Sequence, residues 1–512
     1  MSTPSSSPTA NRREFLRLAG GTLALGTSAG LTLTACSSSK ASSSAGGSLP
    51  TLHSSRGGNT VKGIQHFRSR PDLRPPEIII HTHAKHVIPG FVFTECHGGV
   101  AQQGPMILTE KGRLVGFQPL TPKPTPAHRA FDVRVQTYQG KPVMTWFEGG
   151  VVSAHGQGHY VICDQQYRQI AQVHAGNGYQ GDLHEFLLTP QGTALFTAYG
   201  KAAGRFPNGK RGNYFYGIVQ EVDVATGKVL FQWRSDRHVP LSASYRGAPT
   251  SASSTWDYFH VNGITIDPTD NNLVISSRNT CACYKVDRRT GRVIWTLGGK
   301  HSNFHMGRGS RFYFQHDITL LPGGVMTMFD NEGGPPFEAK QSRGLVLAID
   351  ERRRTARVRR QFHHKPPVLS EALGSIQRLD KGHTFMGWGT SSYFTEYGPG
   401  GAVLFDGRLK PGTSSYRAYK ETWTGTPTTV PSLAATRRGA GATLYASWNF
   451  ATEVAGWVVF AGRSPDQLPA VGTAKLAGFE TEISLPHARP YVAVAAIDRK
   501  GTILARSKPV KV

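Results

Sequence analysis

His316-Asp317-Ile318-Thr319-Leu320-Leu321-Pro322-Gly323-Gly324-Val325-Met326-Thr327-Met328-Phe329-Asp330-Asn331 reads as a polar start, an alternating strand, a Pro/Gly turn and a second apolar strand. Three other segments share this template: His184-Glu185-Phe186 through Tyr199, His260-Val261-Asn262 through Arg278, and Gly374-Ser375-Ile376 through Gly389. Pro190 and Pro322 each lie six residues after their histidine, whereas the His260 copy turns more widely through Asp267-Pro268-Thr269-Asp270-Asn271-Asn272. The Gly374 copy has glycine where the others carry histidine.

A second element also repeats. Val222-Asp223-Val224-Ala225-Thr226-Gly227-Lys228-Val229 recurs as Val286-Asp287-Arg288-Arg289-Thr290-Gly291-Arg292-Val293, and each leads into an aromatic-rich strand reaching Trp233 or Trp295. A D-x-x-T-G turn between strands is a tight hairpin whose glycine takes a positive φ. Each unit therefore predicts four strands, recurring roughly every 55 to 75 residues, which is the signature of propeller blades. The predicted fold is all-β: a six-bladed β-propeller over 78–427, then a small β-sandwich similar to a fibronectin type III module over 430–512. The sandwich reading rests on short alternating strands such as Gly456-Trp457-Val458-Val459-Phe460 and Tyr491-Val492-Ala493-Val494-Ala495, and it carries no visible chemistry.

Composition agrees with this class. Gly 59 and Pro 32 beside 18% charged residues favour short strands joined by turns, and 512 residues suffice for a large core. The net charge of +25 raises the question of nucleic acid, but the basic residues are spread along the chain. Their densest run, Glu351 to Arg360, partly alternates like a solvated edge strand, so no nucleic-acid partner is expected.

The N-terminus reads as an export signal. Asn11-Arg12-Arg13-Glu14-Phe15-Leu16-Arg17 matches a twin-arginine signal, and Leu33-Thr34-Ala35-Cys36 matches a lipobox whose cysteine takes the lipid. Residues 1–36 are thus expected to be a lipoprotein signal and 37–77 a Ser/Gly-rich tether, placing the protein on the outer face of the cytoplasmic membrane. The apolar run is short and poor in bulky residues, which disfavours a spanning helix. The other four cysteines, Cys96, Cys163, Cys281 and Cys283, have no zinc spacing and are read as structural.

In a propeller the first residues of the inner strands approach one another around the channel. His184, His260 and His316 therefore predict three imidazoles at one channel mouth. Arg278 follows His260 by eighteen residues, and the antiparallel return of the chain brings it back beside the histidine. Its planar fork suits sulfate or phosphate oxygens. Asn262, Gln315 and Asn331 are candidate substrate-binding groups, with Asp330 at a related position; Asp317 either orients His316 or faces a blade interior. His383 lies beyond a turn and is left out.

The strings DLHEFLLTPQGTAL (182–195), DYFHVNGITIDPTDNNLVISSRNT (257–280), WTLGGKHSNF (295–304), FQHDITLLPGGVMTMFDN (314–331) and YRAYKETWTGTP (416–427) resemble the arylsulfotransferase family in its actinobacterial and fungal branch. VQTYQGKPVMTWFEGG (135–150) fits too. The resemblance implies a six-bladed propeller that moves a sulfuryl group from a phenolic sulfate ester to an acceptor phenol. It implies a sulfohistidine intermediate and no cofactor, metal or nucleotide donor. Carried over, His316 falls where the nucleophile is expected, with His260, Arg278 and His184 completing the catalytic set. Three rival readings remain: a non-catalytic propeller binding anionic cell-surface polymer, a His-ligated metalloenzyme, and a quinone-dependent dehydrogenase. Pairing into a homodimer, and the natural donor and acceptor, are left open.

Overall fold

The computed structural model describes residues 49–121, 128–251 and 253–512; the twin-arginine motif and Cys36 lie outside the described residues. Among the described residues no helix is long and apolar enough to cross a membrane. The chain is built almost wholly from antiparallel strands, and the repeated template forms successive sheets. Their inner strands are, in chain order, Arg129–Tyr138, Gly181–Leu188, Val261–Ile266, His316–Leu321, Ser375–Arg378 and Ala418–Glu421. Each inner strand contacts the next, and the last contacts the first, so the sheets close into a propeller ring.

Closure is long-range. Ala418–Glu421 pairs antiparallel with Phe91–Cys96, in register Ala418↔Thr94 to Glu421↔Phe91. Ile78–Thr82 adds to the outer strand Val403–Leu409 of the preceding sheet. Apolar layers between adjacent sheets form the core: Trp233, Phe259, Ile264 and Tyr284 at one interface, and Trp295, Ile318, Met328 and Leu345 at the next. The D-x-x-T-G turns are formed as read, with φ +71° at Gly227 and +75° at Gly291. The arginine-rich run ends in the outer strand Thr355–Phe362, where Arg357 and Arg359 face solvent.

Two further sheets share one core containing Leu444, Trp457, Val459, Ile483 and Val494. Here the expected tether is corrected. From Leu49 the chain is described, Leu52 packs on this core, and Ser54–Arg56 pairs with Glu480–Leu485 as an edge strand. Asn449 clasps the outer propeller strand Leu114–Phe117, accepting from the Phe117 N–H and donating to its carbonyl, both at 3.0 Å. The four described cysteines are free and buried.

Along the ring axis lies an ion cluster. Arg417, with no exposed side-chain surface, donates to both oxygens of Glu185 at 3.0 Å and to Asp132 at 3.0 Å, with Asp317 at 3.7 Å. Arg134 pairs with Asp132 at 2.6 Å and also with Glu185, while Tyr419 donates to Asp317 at 2.6 Å. Register shifts at Phe131/Arg134, Gly181/Phe186 and His316/Thr319 interrupt these inner strands, and Asp132 and Asp317 take φ of +59° and +48°. Such bulges re-aim side chains that strict alternation would send into the sheets. Removing one partner of a buried ion cluster leaves uncompensated charge. Arg417→Met should therefore lower unfolding free energy by about 3–5 kcal/mol, measured by denaturant titration; an unchanged midpoint would show that the cluster does not hold the ring.

Candidate functional site

His184, His260 and His316 converge as the repeats require. The His184 ring centroid lies 4.8 Å from that of His260 and 6.5 Å from that of His316. All three side chains are buried. The fourth copy has glycine for a steric reason: Gly374 has φ +106°, and a Cβ there would meet the Phe329 ring at 2.6 Å. This lets the 373–374 backbone approach His316, whose Nε2 accepts the Leu373 N–H at 3.3 Å.

The partners of each imidazole differ. Asn331 donates its amide hydrogens to the carbonyls of Ser370 at 2.7 Å and Leu373 at 2.9 Å, so its Oδ1 faces His316 Nδ1 at 2.7 Å. That oxygen only accepts, so Nδ1 carries the hydrogen and Nε2 keeps its lone pair. Burial, reinforced by the nearby Arg278 cation, holds the His316 pKa well below the usual histidine value. His184 and His260 instead donate from Nδ1 to carboxylates, Asp182 at 2.6 Å and Asp257 at 2.5 Å. Burial lowers His260 to about 3 despite the opposing Asp257 charge. Burial works to raise the Asp182 carboxyl, but the His184 imidazole outweighs it and leaves the group below its ordinary value. Among the described residues, Nε2 of His184 and of His260 has no hydrogen-bond partner.

Arg278 sits where the antiparallel return was expected to put it, its N–H donating to the His260 carbonyl at 3.0 Å. Its guanidinium has no carboxylate partner among the described residues; it lies 4.5 Å over the Phe314 ring, with Nε buried and unpartnered. Burial lowers its pKa. A guanidinium without a carboxylate beside imidazoles has the chemistry to take an anion.

The expected substrate-binding amides have protein partners on their donor side. Asn262 donates to the Gln315 carbonyl at 2.6 Å, and Gln315 donates to Ser276 Oγ at 2.9 Å and the Ser277 carbonyl at 3.1 Å, tying neighbouring sheets together, while Asn262 Oδ1 and Gln315 Oε1 are buried without a partner among the described residues. Asn331 is spent on orienting His316, and Asp330 is paired with Arg343 at 2.8 Å. Asp317 faces the axial ion cluster rather than His316, and His383 pairs with Glu396 at 2.9 Å. The structure adds groups the sequence reading missed. Asp182 and Asp257 precede their histidines by two and three residues, a signal that was present in the sequence. Tyr199, 3.9 Å from the His155 ring, and His155, 5.6 Å from the His260 ring, come from non-inner strands and carry no such signal.

An all-β ring closed by its inner strands, with an arginine that has no carboxylate partner among the described residues set near three histidines, defines a propeller whose site has the chemistry to take an oxyanion. The family model described as arylsulfotransferase (ASST) matches residues 134–410, and the chain belongs to that family. Aryl sulfotransfer on phenolic substrates is therefore its general activity. Among solved structures it is similar to a protein of unknown function from Bacteroides caccae, at 11% identity over 65% of this chain and 99% of that one, TM-score 0.39. It is also similar to the Pseudomonas aeruginosa periplasmic gluconolactonase, at 11% identity over 82% and 96%, TM-score 0.34. A third is a catalytically inactive virginiamycin B lyase from Staphylococcus aureus with quinupristin, at 8% identity over 80% and 100%, TM-score 0.33. No curated protein matches the chain.

Proposed function

We propose that the protein moves a sulfuryl group from a phenolic sulfate ester to an acceptor phenol through a sulfohistidine formed on His316. The observation that carries this reading is the difference in imidazole partners. His316 is backed by a neutral amide, its Nε2 lone pair accepts only the long Leu373 N–H contact at 3.3 Å, and its ring feels the Arg278 charge, whereas His184 and His260 are backed by carboxylates. An amide fixes the tautomer without adding negative charge where an anion must bind; a carboxylate stabilises an imidazolium that gives up a proton.

In the first half-reaction His316 Nε2 gives up its contact with the Leu373 N–H and attacks sulfur, the N–S bond forms and the S–O bond to the aryl group breaks. Arg278 faces the non-bridging oxygens, whose charge develops in the transition state. The departing phenolate takes a proton from His260 or His184. Burial favours the neutral form of His260, and the negative charge of a bound sulfate favours its protonated form. In the second half-reaction the same imidazole removes the acceptor phenol's proton, the new S–O bond forms and N–S breaks, restoring His316.

With 4-nitrophenyl sulfate as donor, nitrophenol release should depend on added phenol. It should fall by on the order of 10³-fold or more in His316→Ala. Release to water alone would sink the transferase reading in favour of a sulfatase.

Export by the twin-arginine route and lipid attachment at Cys36 belong to the same proposal, supported by the Arg12-Arg13 and Leu33-Thr34-Ala35-Cys36 motifs. Cys36→Ala should move the protein from the membrane fraction to the soluble extract; retention in the membrane would contradict lipid anchoring there.

A further inference from the structure

His155 opens the strand His155–Cys163, the third counting from the inner strand Arg129–Tyr138, yet its ring reaches the transfer site of the neighbouring sheets. Nε2 lies 3.2 Å from Asp257 Oδ2, the oxygen that His260 Nδ1 contacts at 2.5 Å. A carboxylate in its charged form only accepts, so each imidazole presents an N–H to the same oxygen. The His155 ring is fixed between Tyr199, at 3.9 Å, and the edge of Phe215, at 4.5 Å. Its side chain is 5% exposed, and both its Nδ1 and Asp257 Oδ1 are buried without a partner. A buried ring nitrogen without a partner costs folding free energy, so a histidine held here by one hydrogen bond to a carboxylate calls for a role beyond packing.

The atoms of His155, Asp257 and His260 lie within 4.8 Å of one another, a spacing a cation would also use. The Arg278 charge beside His260 opposes a cation there, and the short contacts to Asp257 are those of hydrogen bonds. The trio is therefore a shared-carboxylate relay.

We propose that His155 is a positioning residue of the transfer site: by donating to the carboxylate that also holds His260, it sets how firmly His260 keeps its proton. The inference rests on the anion-transfer reading above. A second donor on Oδ2 draws charge away from the contact with His260, so the imidazolium is held less tightly and releases its proton more readily to a leaving phenolate. The groups facing this relay are His184 and Asp182 from the inner strand Gly181–Leu188, Tyr199 from the strand beside it, Arg278 from the sheet of Val261–Ile266 and His316 from the inner strand His316–Leu321. None of them donates a hydrogen bond to Asp257. His155 is thus the group that competes with His260 for that oxygen.

The test uses inorganic sulfate as the probe and needs no turnover. Calorimetric titration of the full chain with sulfate, in buffers of different ionisation heat, gives the protons taken up on binding as a function of pH. In the wild type uptake should decline with a midpoint set by His260 in the sulfate complex. In His155→Leu, similar in volume, the midpoint should rise by about one pH unit, as expected for losing one hydrogen bond to a charged group. In His155→Gln, whose amide can replace the donor, it should stay at the wild-type value. An unmoved midpoint in His155→Leu, or an equal rise in His155→Gln, overturns the proposal. Wild-type protein that binds no sulfate would instead sink the anion-site reading on which the relay rests. Should His155→Leu fail to fold, the His155→Gln and His155→Asn pair decides. Asparagine is too short to reach Asp257, so a rise confined to it supports the relay, and identical midpoints overturn it.

Discussion

The Arg417 guanidinium is the constraint on which the site depends. It is wholly enclosed, and its counter-charges come from other inner strands: Asp132 from one, Glu185 from the next, and Asp317 from a third. No pair of these strands satisfies the cation alone, and each carboxylate left without it would be a buried charge of high cost. The ring must close for the charges to meet. Two of the anchors adjoin transfer-site histidines in sequence, Glu185 beside His184 and Asp317 beside His316, so the cluster fixes the height and spacing of the imidazoles on the axis. Tyr416, next to Arg417, donates to the His184 carbonyl at 2.8 Å and adds a second tie.

Above this cluster, the choice of partner separates three residues of identical type. An amide oxygen holds one imidazole in a single tautomer; carboxylates hold the other two. The arginine beside them has no carboxylate partner among the described residues. This grouping of one cation with neutral imidazoles has the charge that the proposed sulfuryl transfer requires.

Much of this was legible in the sequence, because repetition exposes equivalent positions. The template located His184, His260 and His316, and the hairpin geometry returned Arg278 to His260. What escaped has physical causes. Alternation assumes an unbroken pleat, yet the bulges at His316/Thr319 and Gly181/Phe186 turn consecutive residues toward the axis, so Asp317 and Glu185 were not assigned there. Asn262 and Gln315 have the composition of ligand-binding groups, but their amide N–H groups donate between sheets, a use that residue type cannot distinguish. The pairing of Ser54 with Ile483 joins distant parts of the chain, and a Ser/Gly-rich stretch carries no local mark of it. His155 reaches the site from a non-inner strand, outside the repeat that identified the others.

The most direct test is mass spectrometry of the peptide carrying His316, taken after incubation with 4-nitrophenyl sulfate in the absence of acceptor. The predicted result is one sulfuryl group on His316 that disappears when phenol is added. A sulfuryl group on His260 or His184, or an unmodified peptide while phenol is being sulfated, would contradict it.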